Sequence, residues 1–385
     1  MISLYVHIPF CASRCPYCDF ATAPATTALR SRYLDALRTE IATEGATLGR
    51  PHVGTAFFGG GTPSLLEPDE IAALGDAIRD SFDLRPEEVT FEANPATLDR
   101  ARLDAWRALG ATRVSLGAQS FSPLALAALG RTHLASDIAP ALEAARSVGL
   151  DVNLDLIFGR PSEGPDEWRA DLAAAIALGP DHVSAYPLEL ALEPEEGVAN
   201  WGGGGWPTIE RWRTAAAAEQ PDDDGLADRY ELASKVLGSA GYRHYEISNW
   251  ARPGKECRHN LVYWRNGEWL GVGAGAHSHL AGVRSRQPGS LVSYLARIEG
   301  GEGRIADETA DPADAAVDSA ILALRLDEGL DLVAYESRFG TAARDRVDGA
   351  LRGLDGTGLV VRRGECVALS ERGRFVANEV FVRLL

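Results

Sequence analysis

The chain has 385 residues with 38 Lys+Arg against 55 Asp+Glu, a formal net charge of −17, and apolar and charged fractions of 45% and 24%. This acidity argues against a nonspecific nucleic-acid binder and against electrostatic attachment to an anionic membrane. No apolar run reaches the length of a membrane span, no secretory signal precedes the first strand, and five cysteines are an odd count, so the expectation is a cytoplasmic protein with reduced thiols and no disulfide framework.

A strand is predicted over Ile2–Ile8, and it runs into Cys11-Ala12-Ser13-Arg14-Cys15-Pro16-Tyr17-Cys18, a C-x₃-C-x₂-C loop that holds three of the five cysteines. Thiolates suit iron–sulfur clusters, zinc and copper. A closed zinc site wants four protein ligands, and His7 or Cys257 would have to supply the fourth. Three ligands on a [4Fe–4S] cluster leave one iron open for chemistry.

A helix near Thr26–Gly45 follows, then a strand over Val53–Phe58 that ends in Gly59-Gly60-Gly61-Thr62-Pro63. Further predicted strands are Val89–Glu92, Arg113–Leu116, Val152–Phe158 and His182–Tyr186. Helices are predicted at Pro68–Phe82, Leu98–Leu109, Ser136–Val148 and Pro165–Leu178. Six βα units in succession predict an α/β fold built on a parallel sheet, a partial or complete (β/α)₆-type barrel, with its site at the carboxyl ends of the strands. Those ends carry reactive groups. The glycine run permits close backbone approach and offers N–H donors. Glu92 closes the third strand, Gln119 and Ser120 follow the fourth, Arg131 comes soon after, and Asp155 lies on the fifth. Arg131 suits a carboxylate and Glu92 an ammonium, while Asp155 and Gln119 suit the hydroxyls of a ribose.

Glu193–Gly225, with Trp201-Gly202-Gly203-Gly204-Gly205-Trp206 and Asp222-Asp223-Asp224, reads as a long loop with one short helix, followed by helix over Leu226–Gly241. His244–Ser248 and Leu261–Trp264 are predicted strands. Trp269–Gly275 leads into a glycine-rich turn with no βαβ unit behind it, so it is no dinucleotide site. The tail, with helices at Pro312–Leu324, Leu330–Phe339 and Thr341–Thr357 and a hairpin of Leu359–Arg362 and Val367–Leu369, is winged-helix-like. Its ten Arg, no Lys and fifteen Asp+Glu over 305–385 favour a structural or protein-contact role over DNA reading. Three domains are expected: a barrel over 1–190, an α+β extension over 191–305 and the C-terminal domain over 306–385.

Y-x-H-I-P-F-C-x₃-C-x-Y-C, G-G-G-T-P-S and G-x-Q-S-F together resemble the radical SAM superfamily, and within it the group of oxygen-independent coproporphyrinogen III oxidases (HemN) and HemW-type heme chaperones. The resemblance implies that Cys11, Cys15 and Cys18 hold a [4Fe–4S] cluster whose fourth iron takes the amine and carboxylate of S-adenosylmethionine (SAM). Tyr5 and Tyr17 would line the cluster loop, Gly60, Gly61 and Thr62 would contact the methionyl group, Glu92 its amine and Arg131 its carboxylate, and Gln119 and Asp155 the ribose. In the oxidases a further cysteine stands two residues beyond the third ligand, where this chain has Phe20, and a long extension precedes the first strand, where this chain has almost nothing. Both departures resemble the chaperone branch. So does Cys257-Arg258-His259-Asn260-Leu261-Val262-Tyr263-Trp264, similar to its H-N-x-x-Y heme motif, which implies His259 as heme ligand with Tyr263 as a second ligand or packing aromatic. The expected partners are heme and acceptor heme proteins, respiratory enzymes at the membrane being candidates, with no nucleic acid and no integral membrane segment; a homodimer is left open. The alternative is a true coproporphyrinogen III oxidase, decarboxylating propionate side chains by radical chemistry.

Overall fold

A computed structural model describes residues 1–190, 206–307 and 311–385. The first half alternates strands and helices: β1 (Ile2–Ile8), a short parallel pair β2 (Phe10–Cys11) and β3 (Ala23–Pro24), α1 (Thr27–Thr47), β4 (His52–Gly60), α2 (Pro68–Ser81), β5 (Asp83–Ala93), α3 (Arg100–Leu109), β6 (Arg113–Gln119), α4 (Pro123–Ala128), α5 (Ala135–Ser147), β7 (Asp151–Phe158), α6 (Pro165–Leu178) and β8 (His182–Pro187). The strands β1, β4, β5, β6, β7 and β8 lie side by side in chain order, all parallel, as the predicted partial barrel requires.

A period of two sorts their side chains. Leu4 and Val6, Ala56 and Phe58, Val89 and Phe91, Val114 and Leu116, Val152 and Leu154 are buried in one apolar core with residues of the covering helices. The alternate positions carry Ser3, Tyr5 and His7, Thr55, Glu88 and Glu92, Ser115, Asn153 and Asp155, Ser184. They form registered rows such as Ser3 beside Thr55, Thr55 beside Glu88 and Asp155 beside Ser184. The barrel interior is therefore a stack of polar layers.

The second half extends this sheet at both edges. After α7 (Trp206–Glu219) and α8 (Asp223–Ser239), β9 (Arg243–Glu246) and β10 (Asn249–Ala251) add antiparallel to β8. After α9 (Arg258–Trp264), β11 (Trp269–Val272) pairs parallel with β1, and β12 (His277–Leu280), β13 (Val283–Arg286) and, beyond α10 (Leu291–Glu299), β14 (Ile305–Ala306) continue from it. Among the described residues twelve strands form one sheet. Tyr230, Leu237, Trp250, Leu270 and Tyr294 from this half share the barrel's core. The tail has its own core: α11 (Pro312–Leu324), β15 (Leu330–Asp331), α12 (Leu332–Phe339), α13 (Thr341–Arg352), the wing β16 (Val360–Arg363) and β17 (Cys366–Leu369), then α14 (Glu371–Phe375) and α15 (Ala377–Phe381). Among the described residues no helix is long and apolar enough to cross a membrane.

Two expectations are corrected. Leu261–Trp264 is not a strand but the end of α9. Its β-branched and aromatic residues favour a strand, but the Glu88 carboxylate accepts from the backbone N–H groups of Arg258 (2.9 Å) and His259 (3.1 Å), satisfying donors that a helix start leaves free. Likewise the segment read as loop with one short helix contains all of α7, and the aspartate run opens α8: the Asp222 side chain caps it at Gly225 N, with Asp223 and Asp224 in its first turn. The Gly-rich stretch 201–205 lies outside the described residues.

Candidate functional site

At the carboxyl ends of the strands a cavity of about 500 Å³ is lined by Cys11, Cys15, Tyr17 and Cys18, by Gly60, Gly61 and Thr62, and by Glu92, Gln119, Arg131 and Asp155. The strand ends thus bring together the cysteine loop, the glycine run, Glu92, Gln119, Arg131 and Asp155, whereas Ser120 is buried outside this lining. Tyr5 sits one layer deeper in the barrel, its hydroxyl donating to His7 Nδ1 (3.0 Å).

The cysteine loop leaves β1 and returns through the β2–β3 pair, tied by Ala23 N to Pro9 O (2.8 Å) and Ala25 N to Cys11 O (3.3 Å). His7 braces it from below. Its Nε2 donates to the Ala21 carbonyl (2.8 Å), which fixes the tautomer, and burial holds it neutral by lowering its pKa to about 4. The glycine run packs against this brace. A Cβ on Gly60, whose φ is 112°, would lie 2.3 Å from the His7 ring, and one on Gly61 would lie 2.6 Å from Pro9 backbone. Those glycines are demanded by the protein's own packing, whatever ligand also approaches them.

Each cysteine has a polar neighbour or a buried setting. Thr62 Oγ1 lies 3.5 Å from Cys11 Sγ and Arg131 Nη1 3.6 Å from Cys15 Sγ. Burial raises the Cys11 thiol and pushes Cys18 up to about 12, so metal loading would release protons. Neither proposed fourth zinc ligand is at hand: His7 is spent on Ala21 and Tyr5, and Cys257 donates to Glu88 Oε1 (3.4 Å) elsewhere in the barrel. Among the described residues no three His, Cys, Asp or Glu side chains converge on one metal ion. The C-x₃-C-x₂-C spacing along one loop suits a cluster, which takes each sulfur on a different iron. For the carboxylate of SAM the fit is in Arg131: Nη2 holds the Gly117 carbonyl (2.9 Å), while its buried Nε has no partner.

Glu92 Oε2 accepts from Gly60 N (3.0 Å), and burial, then the charge of Asp155, raise its pKa to about 7. Asp155 is held by Ser115 Oγ (2.9 Å) and Asn153 Nδ2 (2.7 Å), and Asn153 in turn by Ser184 and His182. This supporting row escaped the sequence reading, although polar residues at every second position of adjacent strands were its signal. Gln119 stands at φ 64°, a left-handed conformation that costs a non-glycine residue energy. The next turn compensates, because Asp171 accepts from Ser120 Oγ (2.8 Å) and Phe121 N (2.7 Å) and is neutralised by Arg160 (2.7 Å).

Glu92 yields a pH signature. Its proton is bound more tightly in the fold than in the unfolded chain, so its contribution is fully present below about pH 4.5 and is lost as pH rises through 7. Glu92→Gln, neutral throughout, is expected to unfold like the parent near pH 4.5 and to be about 2–3 kcal/mol more stable at pH 8. Thermal unfolding of the metal-free proteins at both pH values checks this, and a pH-independent difference would refute it.

His259 and Tyr263 lie elsewhere. His259 is buried, with Nδ1 2.9 Å from Thr55 Oγ1 and Nε2 2.7 Å from the Tyr263 hydroxyl. Thr55 also bonds Ser3 (2.7 Å). Ser3 and Thr55 stand near the starts of their strands, so α9 closes the barrel floor, ~16 Å of strand below Gly60. Both ring nitrogens are committed in this packing. Tyr5, Phe57 and His259 stack successively between the two ends, at 6.2 and 5.3 Å between ring centroids.

Residues 5–175 match the model of the radical SAM superfamily and residues 310–376 that of the HemN C-terminal domain. The heme chaperone HemW of Mycobacterium tuberculosis is 42% identical over 388 residues, spanning 99% of this chain and 94% of that protein, and that of Bacillus subtilis is 31% identical, spanning 99% and 98%. The solved structure of coproporphyrinogen III oxidase (HemN) from Escherichia coli, a radical SAM enzyme, aligns with a TM-score of 0.83 at 25% identity, covering 100% of this chain and 89% of that one. Barrel, cysteine loop and strand-end residues define a radical SAM protein. Within that superfamily, full-length identity above 30% shows that the chain belongs to the HemW family.

Proposed function

We propose that this chain is a cytoplasmic heme chaperone: it binds heme and passes it to acceptor heme proteins, and its barrel carries a [4Fe–4S] cluster and SAM. Cys11, Cys15 and Cys18 would hold the cluster, Arg131 and Glu92 the methionyl carboxylate and amine with Gly60, Gly61 and Thr62 beside them, and Gln119 and Asp155 the ribose. Cluster and SAM, when bound, supply one-electron chemistry; the protein's part is position and charge. The carrying observation is Phe20. It stands where the oxidases have a further cysteine, is 63% exposed and lines the cavity mouth, so it offers an apolar ring in place of a thiolate. His259 is the proposed heme ligand, on a condition the packing sets: Nε2 must first leave the Tyr263 hydroxyl, or Nδ1 the Thr55 hydroxyl.

The oxidase reading keeps one support, the full-length likeness to HemN. Anaerobic reconstitution followed by parallel assays decides between them. The chaperone reading expects stoichiometric heme binding, heme transfer to an apo heme protein and no protoporphyrinogen from coproporphyrinogen. Product formation would overturn it.

A further inference from the structure

The helix α7, which lies where one short helix is expected within a long loop, inserts one side chain beneath the cysteine loop. Arg213 is completely buried. Its Nε donates to Pro16 O (2.8 Å), its Nη2 to Cys18 O (3.2 Å), and it pairs with Asp19. Arg14 Nη2 donates to the same Cys18 carbonyl (2.8 Å). Between Cys11 and Ala21 the loop has little of its own to hold it: among the described residues its internal backbone bond is Cys18 N to Cys15 O (3.1 Å). A loop that must present three sulfurs to one cluster therefore takes its shape from guanidinium groups outside its backbone. A planar fork suits that task, because it spans two carbonyls and a carboxylate at once. Burying a guanidinium is tolerable only when it is paired and bonded in this way.

The other end of α7 is anchored too. Gln220 Nε2 donates to Gly159 O (3.0 Å) and Leu188 O (2.7 Å), just beyond β7 and β8, and Ser162 N donates to Glu219 O (2.9 Å). The helix thus ties the loop after the first barrel strand to the loops after the fifth and sixth.

We propose that Arg213 is a positioning residue for the cysteine loop and that α7 is a strap fixing this loop relative to the β7 and β8 ends of the cavity. The proposal rests on the cluster reading above. Arg213→Ala, reconstituted anaerobically, is expected to lose iron to a chelator about tenfold faster than the parent. Arg213→Lys should be intermediate, since an ammonium keeps the Asp19 pair but cannot span both carbonyls. In the parent protein, amide hydrogen exchange across α7 should slow when the cluster is loaded, a readout that does not depend on the variant folding. Equal iron-loss rates in a folded Arg213→Ala, or unchanged α7 exchange on loading, would overturn the strap. A parent chain that takes up no iron would instead overturn the cluster reading.

Discussion

Cys15→Ser is expected to abolish the proposed cluster binding: after anaerobic reconstitution the variant should hold no stoichiometric iron and sulfide and lack the visible charge-transfer absorption expected of the parent. A serine oxygen is a hard ligand that keeps its proton near neutrality, and the loop has no fourth sulfur to replace it. The loss should be local. Cys15 is only half-buried, and Arg131, its neighbour through Nη1, keeps its bond to the Gly117 carbonyl. Thermal stability of the metal-free variant should match the parent within about 0.5 kcal/mol. Cys257→Ser and Cys366→Ser, whose thiols lie away from the loop, should load normally. A Cys15→Ser protein with full iron would contradict the cluster assignment.

His259→Ala has the largest expected cost to the fold itself, about 3 kcal/mol of stability without any heme present. The substitution leaves the Tyr263 hydroxyl without its partner in the barrel floor and empties space beneath Phe57 and Tyr263, whose rings lie 5.3 and 5.0 Å from the imidazole. An unsatisfied buried hydroxyl and a cavity of this size each contribute on the order of 1–2 kcal/mol. Denaturant unfolding measures the loss, and iron uptake should be unchanged because the cysteine loop lies at the other end of the strands. Heme titration of the folded variant adds the functional test. Retained affinity removes His259 as the ligand, whereas weakened affinity with intact iron supports it.

The barrel was readable because its strands are short apolar runs alternating with amphipathic helical stretches, a pattern that depends on local neighbours alone. Glu92, Gln119 and Asp155 could be grouped for the same reason, since the topology places successive strand ends together. What stayed hidden depends on partners far along the chain. Leu261–Trp264 has strand-like residues, and the carboxylate that turns it into a helix is Glu88. Arg213 was unremarkable within an alanine-rich stretch until Pro16 and Cys18 were seen to accept from it. The glycine run was read as ligand-approach backbone, yet His7 and Pro9 already forbid a side chain there. The resemblance implies His259 as a ligand, because a motif shows residue types and spacing but not that Thr55 and Tyr263 occupy both nitrogens.

The pairing of β1 with β11 has a consequence for the order of events during synthesis. Ser3 lies beside Trp269 and Val6 beside Val272, so β1 gains its second neighbour only after synthesis has passed Val272. Arg213 too arrives long after the cysteines it contacts. Contacts this distant in sequence form late. Until then the nascent chain carries the three thiols beside a half-supported strand, and the finished cavity exists only once β11 and α7 have been made. On the proposed cluster reading, iron delivery to the loop would follow the synthesis of β11 and be timed by topology.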